Sequence, residues 1–338
     1  MTGQLDISRE DHVGIIALNR PEAINALNLE MIHGITRTLE QWRDDDGIRV
    51  VLFEGRGSRG FCAGGDVRAV RQMVLDGRPE EADAYFAAEY FMNGLIATYP
   101  KPTVALSHGV VMGGGIGIAG HCRYRFTTPD SKWAMPETAI GFVADVGSNF
   151  ILAKAPLNRV LAFLMSGVAV GPADAIALGL CDCVVDPQRL VDLKAGIAQA
   201  ASATRAEDAL VMLMQAEMAP AGEPVLCQAA DRHAAIEWTD AAEVVAALEV
   251  EPLLVKIATR SPTSLAAVTV AQDRARGHFF SLDAILQMEL RLASHLVRQP
   301  DFAEGVRATL VDKDHLPRWQ PDTLGGVNWS ALDNVSDI

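Results

Sequence analysis

The sequence predicts an α/β fold with a helical C-terminal region, and three observations carry that prediction. In the first half of the 338 residues, strand-like and helix-like patterns alternate at short spacing. Two glycine-rich turns each follow a strand-like run and precede a helical one. From about Leu157 onwards the pattern is predominantly helical. With 49% hydrophobic residues, the chain can bury a large core without cross-links.

The first elements have clear start and stop signals. Residues 13–18 form a strand-like run that ends before Pro21, and Asn28 is placed to cap the helix that follows. That helix carries apolar side chains at helical spacing, namely Met31, Ile35, Leu39 and Trp42. Residues 49–53 then predict a second buried strand, and the glycines of residues 55–60 predict a loop.

The later elements are less sharply bounded. The pattern predicts a long helix over 80–98, a strand over 103–107, helices over 161–165 and 172–178, and a short strand over 182–185. Beyond Pro187 we expect only helices and loops. We therefore expect a core domain of residues 1–200 that carries the active site, followed by a helical region of residues 201–338.

Charge and cysteine usage restrict the partners. The formal net charge of −14 argues against general binding to nucleic acid or to an anionic membrane surface. The five cysteines show neither zinc-ligand spacing nor a C-x-x-C pair, so we expect reduced, buried thiols. The first ten residues lack the pattern of a secretory signal, and no apolar run is long enough to span a membrane. We expect a cytoplasmic protein.

The two glycine turns predict an oxyanion hole. The first lies at residues 61–66 and the second within residues 108–117, which contain three consecutive glycines. Glycines let backbone N–H groups approach a ligand oxygen without interference from a Cβ atom. A thioester or ester carbonyl needs two converging donors, for which we predict the N–H groups of Gly65 and Gly114.

Two carboxylates follow the second turn, at Glu137 and Asp145, and both have a simpler explanation. Glu137 follows Pro136 and could be an acid at a helix start, whereas Asp145 could be a helix cap. Glu89, on the long predicted helix, could be a solvated surface charge. Local sequence alone leaves these alternatives open.

With these motifs, the chain resembles the crotonase superfamily, also called the enoyl-CoA hydratase/isomerase family, in residues 61–66 and 108–147. Within it, the chain is most similar to the 3-hydroxyisobutyryl-CoA hydrolase subfamily over nearly its whole length. Further matching blocks are residues 134–141, 145–147, 261–265, 288–292, 301–308 and 311–314, with Trp319.

The resemblance implies a spiral of strand-strand-helix turns, with the C-terminal helical region covering an acyl pocket. It implies an acyl-CoA thioester as substrate, coenzyme A as part of that substrate, no further cofactor, no metal, and a homo-oligomer, either a trimer or a hexamer. Of the site residues, Gly65 and Gly114 would hold the thioester oxygen. Glu137 would be the main catalytic carboxylate, with Asp145 as its partner.

The resemblance also implies a set of substrate-binding residues. Glu89 matches a glutamate that contacts substrate in the hydrolases. Ala63 and its neighbours would line the coenzyme A path. The predicted substrate-binding set is Glu89, Ala63, Gly64, Asp66, Gly113 and Gly141.

Gly117 favours hydrolysis over hydration. Hydratases of this family carry a second glutamate two residues after the third glycine, and here that position is Gly117. A standard hydratase would therefore lack half of its acid–base pair. Thioester hydrolysis is less demanding, because the leaving thiolate, with a solution pKa of roughly 8.5, can depart without a strong general acid. The expected reaction is hydrolysis of a short branched 3-hydroxyacyl-CoA in valine breakdown.

Two other functions stay open, namely an enoyl-CoA hydratase or isomerase using Glu137 alone, and a non-catalytic acyl-CoA binding protein. The chain departs from the hydrolases at residues 142–144 and 147–149, which bears on the acyl group it accepts. We expect His108 to be structural or pocket-lining, and residues 312–314 to form a salt-bridged turn. Asp231, His233 and Glu237 share helical spacing but lack further metal-ligand partners, so we expect a solvated face.

Overall fold

The structure is a computed structural model that describes residues 3–248, 250–277 and 281–337. Within these ranges the chain forms two compact units. Unit 1 is drawn from Met1–Gly65, Phe91–Trp133 and Val170–Pro224, and unit 2 from Asp66–Tyr90, Ala134–Ala169 and Val225–Ile338. Residues 1 and 2, where the predicted core domain begins, lie outside the described residues. The predicted boundary at residue 200 stays a prediction.

The strands and helices are numbered in chain order. The strands of the described residues are β1 (Leu5–Glu10), β2 (Val13–Leu18), β3 (Val50–Gly55), β4 (Gly60–Cys62), β5 (Thr103–Ser107), β6 (Val110–Met112), β7 (Tyr124–Thr127), β8 (Lys132–Ala134) and β9 (Cys183–Val184). The helices of the first 180 residues are α1 (Leu29–Arg43), α2 (Val67–Leu75), α3 (Pro79–Ala97), α4 (Gly114–Ala119), α5 (Ser148–Leu152), α6 (Leu157–Ser166) and α7 (Pro172–Ala177).

The remaining elements are helical. They are α8 (Leu190–Ser202), α9 (Ala206–Ala216), α10 (Val225–Arg232), α11 (Ala241–Leu248), α12 (Pro262–Gly277), α13 (Leu282–Leu296), α14 (Pro300–Val306) and α15 (Trp329–Ser336). Short 3-10 helices cover Pro21–Ala23, Glu137–Ile140, Pro187–Arg189, Val255–Thr259 and Leu324–Gly326, and a π-helical turn covers Arg307–Val311.

Unit 1 is built on a six-stranded sheet with the order β1-β2-β3-β5-β7-β9. Strand β1 is antiparallel to β2, and the other neighbours are parallel. Every residue of β2 is buried, as expected for a strand inside a parallel sheet. One face of this sheet packs against α8 and α9, so that Leu52 and Phe126 of the sheet share a core with Leu193 and Ile197 of α8. The predicted α/β class is confirmed.

Unit 1 also contains strands β4 and β6 of a small second sheet, which position the glycine turns. The strand order of this sheet is β4-β6-β8, and β4 runs parallel to β6 with Gly60 opposite Val110. Because neighbouring parallel strands end at the same edge of a sheet, the chain segments that follow β4 and β6 emerge side by side. Those segments are the two predicted glycine turns.

Unit 2 is largely helical and is held by aromatic packing. The ring of Phe142 stacks on that of Phe86 at a centroid distance of 5.2 Å and contacts that of Phe302 at 5.6 Å. The guanidinium of Arg298, which lies between α13 and α14, pairs with Asp83 on α3 at 2.6 Å. These contacts hold α3, α14 and the residues between α13 and α14 beside Phe142.

Several local predictions are confirmed. The Asn28 side chain accepts a hydrogen bond from the Met31 N–H at 2.9 Å and so caps α1. The long predicted helix is α3, within one residue of the expected ends. The five cysteines are buried. None of the helices among the described residues is long and apolar enough to cross a bilayer.

Candidate active site

The first glycine turn follows β4 in unit 1. The Ala63 N–H donates to the Ile24 carbonyl at 2.9 Å, and the Leu27 N–H donates to the Gly64 carbonyl at 2.8 Å. Gly64 has a φ of 105°, a conformation that an L side chain adopts only with strain. A Cβ atom there would lie 3.2 Å from the Met112 carbonyl oxygen and 3.6 Å from the Gly114 nitrogen.

The second glycine turn follows β6 in the same unit. Gly113 has a φ of 47°, and α4 begins at Gly114. A Cβ atom on Gly115 would lie only 2.5 Å from the Cys62 carbonyl oxygen, so the two turns pack backbone against backbone. Among the described residues, neither the Gly65 N–H nor the Gly114 N–H has a hydrogen-bond acceptor. Both predicted donors are therefore available to a ligand.

Glu137 begins the 3-10 helix Glu137–Ile140 of unit 2 and is buried, with 7% of its surface exposed. Its Oε2 atom has no hydrogen-bond partner in the part of the chain that the structure describes. Burial raises the pKa of this carboxyl well above its ordinary value, and the nearby Asp145 and Glu89 add to the shift. A structural acid at a helix start would be solvated, so this environment favours a chemical role.

Asp145 lies in the same unit and receives a hydrogen bond. The hydroxyl of Tyr90 on α3 donates to its Oδ2 atom at 2.6 Å. Burial raises the pKa of Asp145 to about 7, and the bond from Tyr90 opposes that shift. The N-cap residue of α5 is Gly147, so the Asp145 carboxylate does not serve as the cap of that helix.

Glu89 is buried beside these acids rather than solvated, with 3% of its surface exposed. Burial raises its pKa well above the ordinary value, and Asp145 raises it further. Its Oε1 atom has no partner among the described residues. Three carboxyls of unit 2 are thus electrostatically linked, and Asp145, which has the hydroxyl donor, is the one expected to ionise first.

The other predicted substrate-binding positions have local structural roles, and their contact with substrate stays a prediction. The Asp66 side chain caps α2 by accepting from the Ala69 N–H at 3.3 Å. Gly141 has a φ of 69°, and a Cβ atom there would lie 2.3 Å from the Asp301 carbonyl group. Only glycine fits at that position, whatever the ligand.

Sequence reasoning assigned no role to Tyr90 or Glu289. Tyr90 directly follows Glu89, but its partner Asp145 is 55 positions away in the chain. Glu289 is a fully buried acid in one of the blocks that resemble the hydrolases. Its two chain neighbours, Met288 and Leu290, are apolar, and this was the available signal for a buried acid.

The remaining candidates make contacts within the protein. A nitrogen of the His108 ring lies 2.9 Å from the Gly57 carbonyl oxygen, which supports the structural assignment. Arg307 forms ion pairs with Asp312 and Asp314, so the predicted salt-bridged turn is confirmed. Within the described ranges, no group of three or more histidine, cysteine or acidic side chains could hold a metal ion.

Comparisons with known proteins agree with this geometry. The family model described as enoyl-CoA hydratase/isomerase matches residues 13–335. The mitochondrial 3-hydroxyisobutyryl-CoA hydrolase of Danio rerio is 34% identical, with 95% of this chain and 86% of that protein covered. The mitochondrial hydrolase of that name from Homo sapiens is 32% identical, with 97% and 87% covered.

Solved structures give the fold. A carnitinyl-CoA dehydratase from Mycobacterium thermoresistibile has a TM-score of 0.89 at 32% identity, covering 100% of this chain and 97% of that one. An enoyl-CoA hydratase from Rhodobacter sphaeroides has a TM-score of 0.87 at 32% identity, covering 98% and 96%. These scores confirm the predicted crotonase-like fold.

The comparisons also correct one prediction. We expected a cytoplasmic protein from the cysteine usage, together with the lack of a secretory-signal pattern. That expectation is wrong, because the similar hydrolases from Danio rerio, Xenopus tropicalis and Homo sapiens are mitochondrial proteins.

Proposed function

Because the chain belongs to the enoyl-CoA hydratase/isomerase family, we propose that it is a hydrolase that cleaves 3-hydroxyisobutyryl-CoA, a step of valine breakdown. Water and the thioester give 3-hydroxyisobutyrate and free coenzyme A. The names of the relatives support this reaction. The observation on this chain that carries it is Gly117, which is buried within α4 and offers no side chain where a hydratase has its second glutamate.

In the proposed reaction, the backbone of unit 1 polarises the thioester. The N–H groups of Gly65 and Gly114 donate to the carbonyl oxygen and stabilise the negative charge that develops on it. Because neither donor has an acceptor among the described residues, these two N–H groups can bind the thioester oxygen without giving up a hydrogen bond within the described part of the protein. Because backbone amides do not titrate, this contribution is constant across the working pH range.

The carboxyls of unit 2 supply the proton chemistry of the same reaction. The Glu137 carboxylate either removes a proton from the attacking water or attacks the thioester carbon itself, giving an anhydride that water then opens. The Asp145 carboxylate accepts a hydrogen bond from the substrate hydroxyl or shares a proton with Glu137. The thiolate of coenzyme A leaves without a protein acid. Ala63, Gly64, Asp66, Glu89, Gly113 and Gly141 are proposed to contact the substrate.

A second function, hydration of an enoyl-CoA, is favoured by the two structural relatives described as a hydratase and a dehydratase at 32% identity. The two reactions have different products. Hydrolysis releases a thiol, whereas hydration consumes the enoyl double bond and releases none. A protein that only binds acyl-CoA would do neither.

The test is a panel of acyl-CoA thioesters assayed for thiol release and for loss of enoyl absorbance. We expect thiol release, fastest with 3-hydroxyisobutyryl-CoA, and a loss of about 10²- to 10⁴-fold in kcat/KM for Glu137→Gln. Mass spectrometry of the quenched protein would reveal an acyl adduct on Glu137 if it is the nucleophile. Glu251→Gln is the control, because this carboxylate pairs with Arg232 at 2.9 Å and has no proposed chemical role. Equal rates for wild type and Glu137→Gln would refute the mechanism, and loss of absorbance without thiol release would favour the hydratase.

A further inference from the structure

The turn that carries Asp145 is strained. Val146, the next residue, has a φ of 55°, and Gly147 has a φ of 75°. Left-handed backbone is common for glycine but is an outlier for a β-branched residue such as valine. A conformation of this kind persists only where the surroundings hold it in place.

Glu289, on α13 of the same unit, holds this turn by accepting hydrogen bonds on both carboxyl oxygens. Its Oε2 atom accepts from the Gly147 N–H at 2.6 Å. Its Oε1 atom accepts from the Asn149 N–H at 3.3 Å and from the Asn149 side-chain amide at 2.9 Å. Gly147 is the N-cap residue of α5 and has no side chain to accept a hydrogen bond from the first turn of that helix. Glu289, on another helix, accepts this bond instead.

Asn149 extends the same network to the other side of Asp145. Its side-chain amide also donates to the Ala144 carbonyl at 2.8 Å. Its side-chain oxygen accepts from the Gln272 amide on α12 at 2.7 Å. The backbone is therefore fixed immediately before Asp145, at Ala144, and two residues after it, at Gly147.

The network is dry. Glu289, Asn149 and Gln272 each have no exposed surface. Burial raises the pKa of Glu289 to about 8, against which the bonds from Asn149 and Gly147 act. A buried acid costs stability unless hydrogen bonds compensate for its burial, and among the described residues the donors to Glu289 come from the segment that carries Asp145.

We propose that Glu289 is a positioning residue for Asp145, which fixes the strained turn at residues 146 and 147 so that the Asp145 carboxylate is held for the reaction. This inference rests on the proposed function only in that Asp145 takes part in the chemistry. Glutamine at position 289 has a single acceptor oxygen, so it must lose either the Gly147 or the Asn149 bonds while keeping nearly the same shape.

The test is a double-mutant cycle on the full chain, with Glu289→Gln, Asp145→Asn and the combination, measured by kcat with 3-hydroxyisobutyryl-CoA. We expect Glu289→Gln to lower kcat by about 100-fold, the effect of misplacing a reacting group by about 1 Å. In the Asp145→Asn background the same change should cost less than about threefold, because the group it positions is already absent. A purely structural role would cost the same factor in both backgrounds, and that result would overturn the proposal.

A matched control is available in Asp301→Asn. Asp301 is equally buried, and its carboxylate accepts from the Gln320 N–H at 2.6 Å and from the Ser261 hydroxyl at 2.6 Å. This variant loses the same kinds of bonds but leaves the turn at 146 and 147 intact, so its effect on kcat should not depend on Asp145. An equal dependence would also overturn the proposal.

Two further outcomes separate the possible failures. If Asp145→Asn leaves thiol release unchanged, the proposed function is wrong about Asp145. If it lowers kcat but Glu289→Gln does not, only the positioning role fails. If Glu289→Gln does not fold, Gln272→Met replaces it in the same double-mutant cycle, because this variant removes the donor to Asn149. The expected loss in kcat is roughly tenfold. No loss, or the same loss in both backgrounds, would then refute the proposal.

Discussion

The glycine turns of unit 1 and the acid cluster of unit 2 differ in the kind of group that each provides, which is a neutral backbone donor in the first and a titrating carboxyl in the second. The turns present neutral backbone donors whose positions are set by close packing of main chain on main chain, as at Gly115 and Cys62. The cluster of Glu89, Glu137 and Asp145 consists of buried carboxyls whose pKa values burial raises. The contribution of the glycine turns depends on the positions of the N–H groups and not on pH, whereas the contribution of the acid cluster depends on the protonation state of its carboxyls.

Because of this difference, the contributions of the backbone donors and of the carboxyl groups to the rate can be separated by experiment. A change in the glycine turns should lower the rate by the same factor at every pH, because amide N–H groups keep their protons. A change among the acids should alter the shape of the pH profile, because the groups share protons and their pKa values depend on one another. In wild type we expect kcat/KM to rise with pH through about 7, where Asp145 ionises, and further through the higher pKa of Glu137, because the proposed mechanism uses both groups as carboxylates.

Among the variants that test this difference between the two regions, the largest effect is expected for Gly64→Ala. A Cβ atom at φ 105° is strained and would lie 3.2 Å from the Met112 carbonyl oxygen, next to the Gly114 nitrogen. The two donors should move apart, and we expect kcat to fall by about 10²- to 10³-fold, the cost of losing one oxyanion donor. The measurement is kcat across the pH range, and the ratio to wild type should be constant.

The control for this variant is Gly179→Ala in the same unit. Gly179 has a φ of 77° but no atom within 4 Å of the added Cβ, so the substitution introduces backbone strain away from the turns. It should lower stability and leave kcat unchanged. Equal losses of kcat for the two variants, or a loss for Gly64→Ala that varies with pH, would contradict the proposal that the glycine turns act through pH-independent backbone donors.

The two regions also differ in how far the sequence predicts them. The glycine turns follow a local rule, in which small residues stand where a strand ends and a helix begins, so Gly65 and Gly114 could be chosen before the structure. Glu137 and Asp145 could be chosen because the resemblance to the family removed the simpler readings. The strands β4, β6 and β8 could not, because strands of three residues are too short to show periodicity.

The sequence did not predict the contacts that shift the pKa values of the acids or hold their backbone in place. Tyr90 meets Asp145 across 55 positions, and Glu289 meets Gly147 across 142. Val146 adopts a backbone conformation that its own propensity opposes, so local reasoning predicts the wrong geometry there. Long-range packing decides both features, and one sequence contains no direct signal for it.

A smaller effect is expected for Tyr90→Phe, which removes the hydroxyl that donates to Asp145. Because that bond lowers the pKa of Asp145, its loss should raise the pKa above about 7. If ionised Asp145 is the active form, the acid limb of kcat/KM moves to higher pH. A shift of about one pH unit gives a loss of about tenfold below the limb and little loss above it.

Tyr99→Phe is the matched control for this prediction. The Tyr99 hydroxyl donates to the Leu39 carbonyl at 2.7 Å in unit 1, so its removal costs a buried hydrogen bond without a titrating partner. We expect a lower melting temperature and an unchanged pH profile. If the profile of Tyr90→Phe matches that of Tyr99→Phe, the hydroxyl does not tune Asp145.

The smallest effect is expected in stability rather than rate, for Glu89→Gln. The raised pKa of Glu89 means that the folded protein keeps a proton that the unfolded chain releases above its ordinary pKa, so the free energy of unfolding falls as the pH rises between these two values. Glutamine cannot ionise, so denaturant titrations at pH values above the ordinary pKa of a glutamate should show a smaller loss of stability with rising pH than in wild type. Glu80→Gln, at an exposed position on the same helix, is the matched control. A Glu89→Gln slope equal to that of wild type would mean that this acid is ionised and solvated in the folded protein, and the contrast between the two regions would be lost at that position.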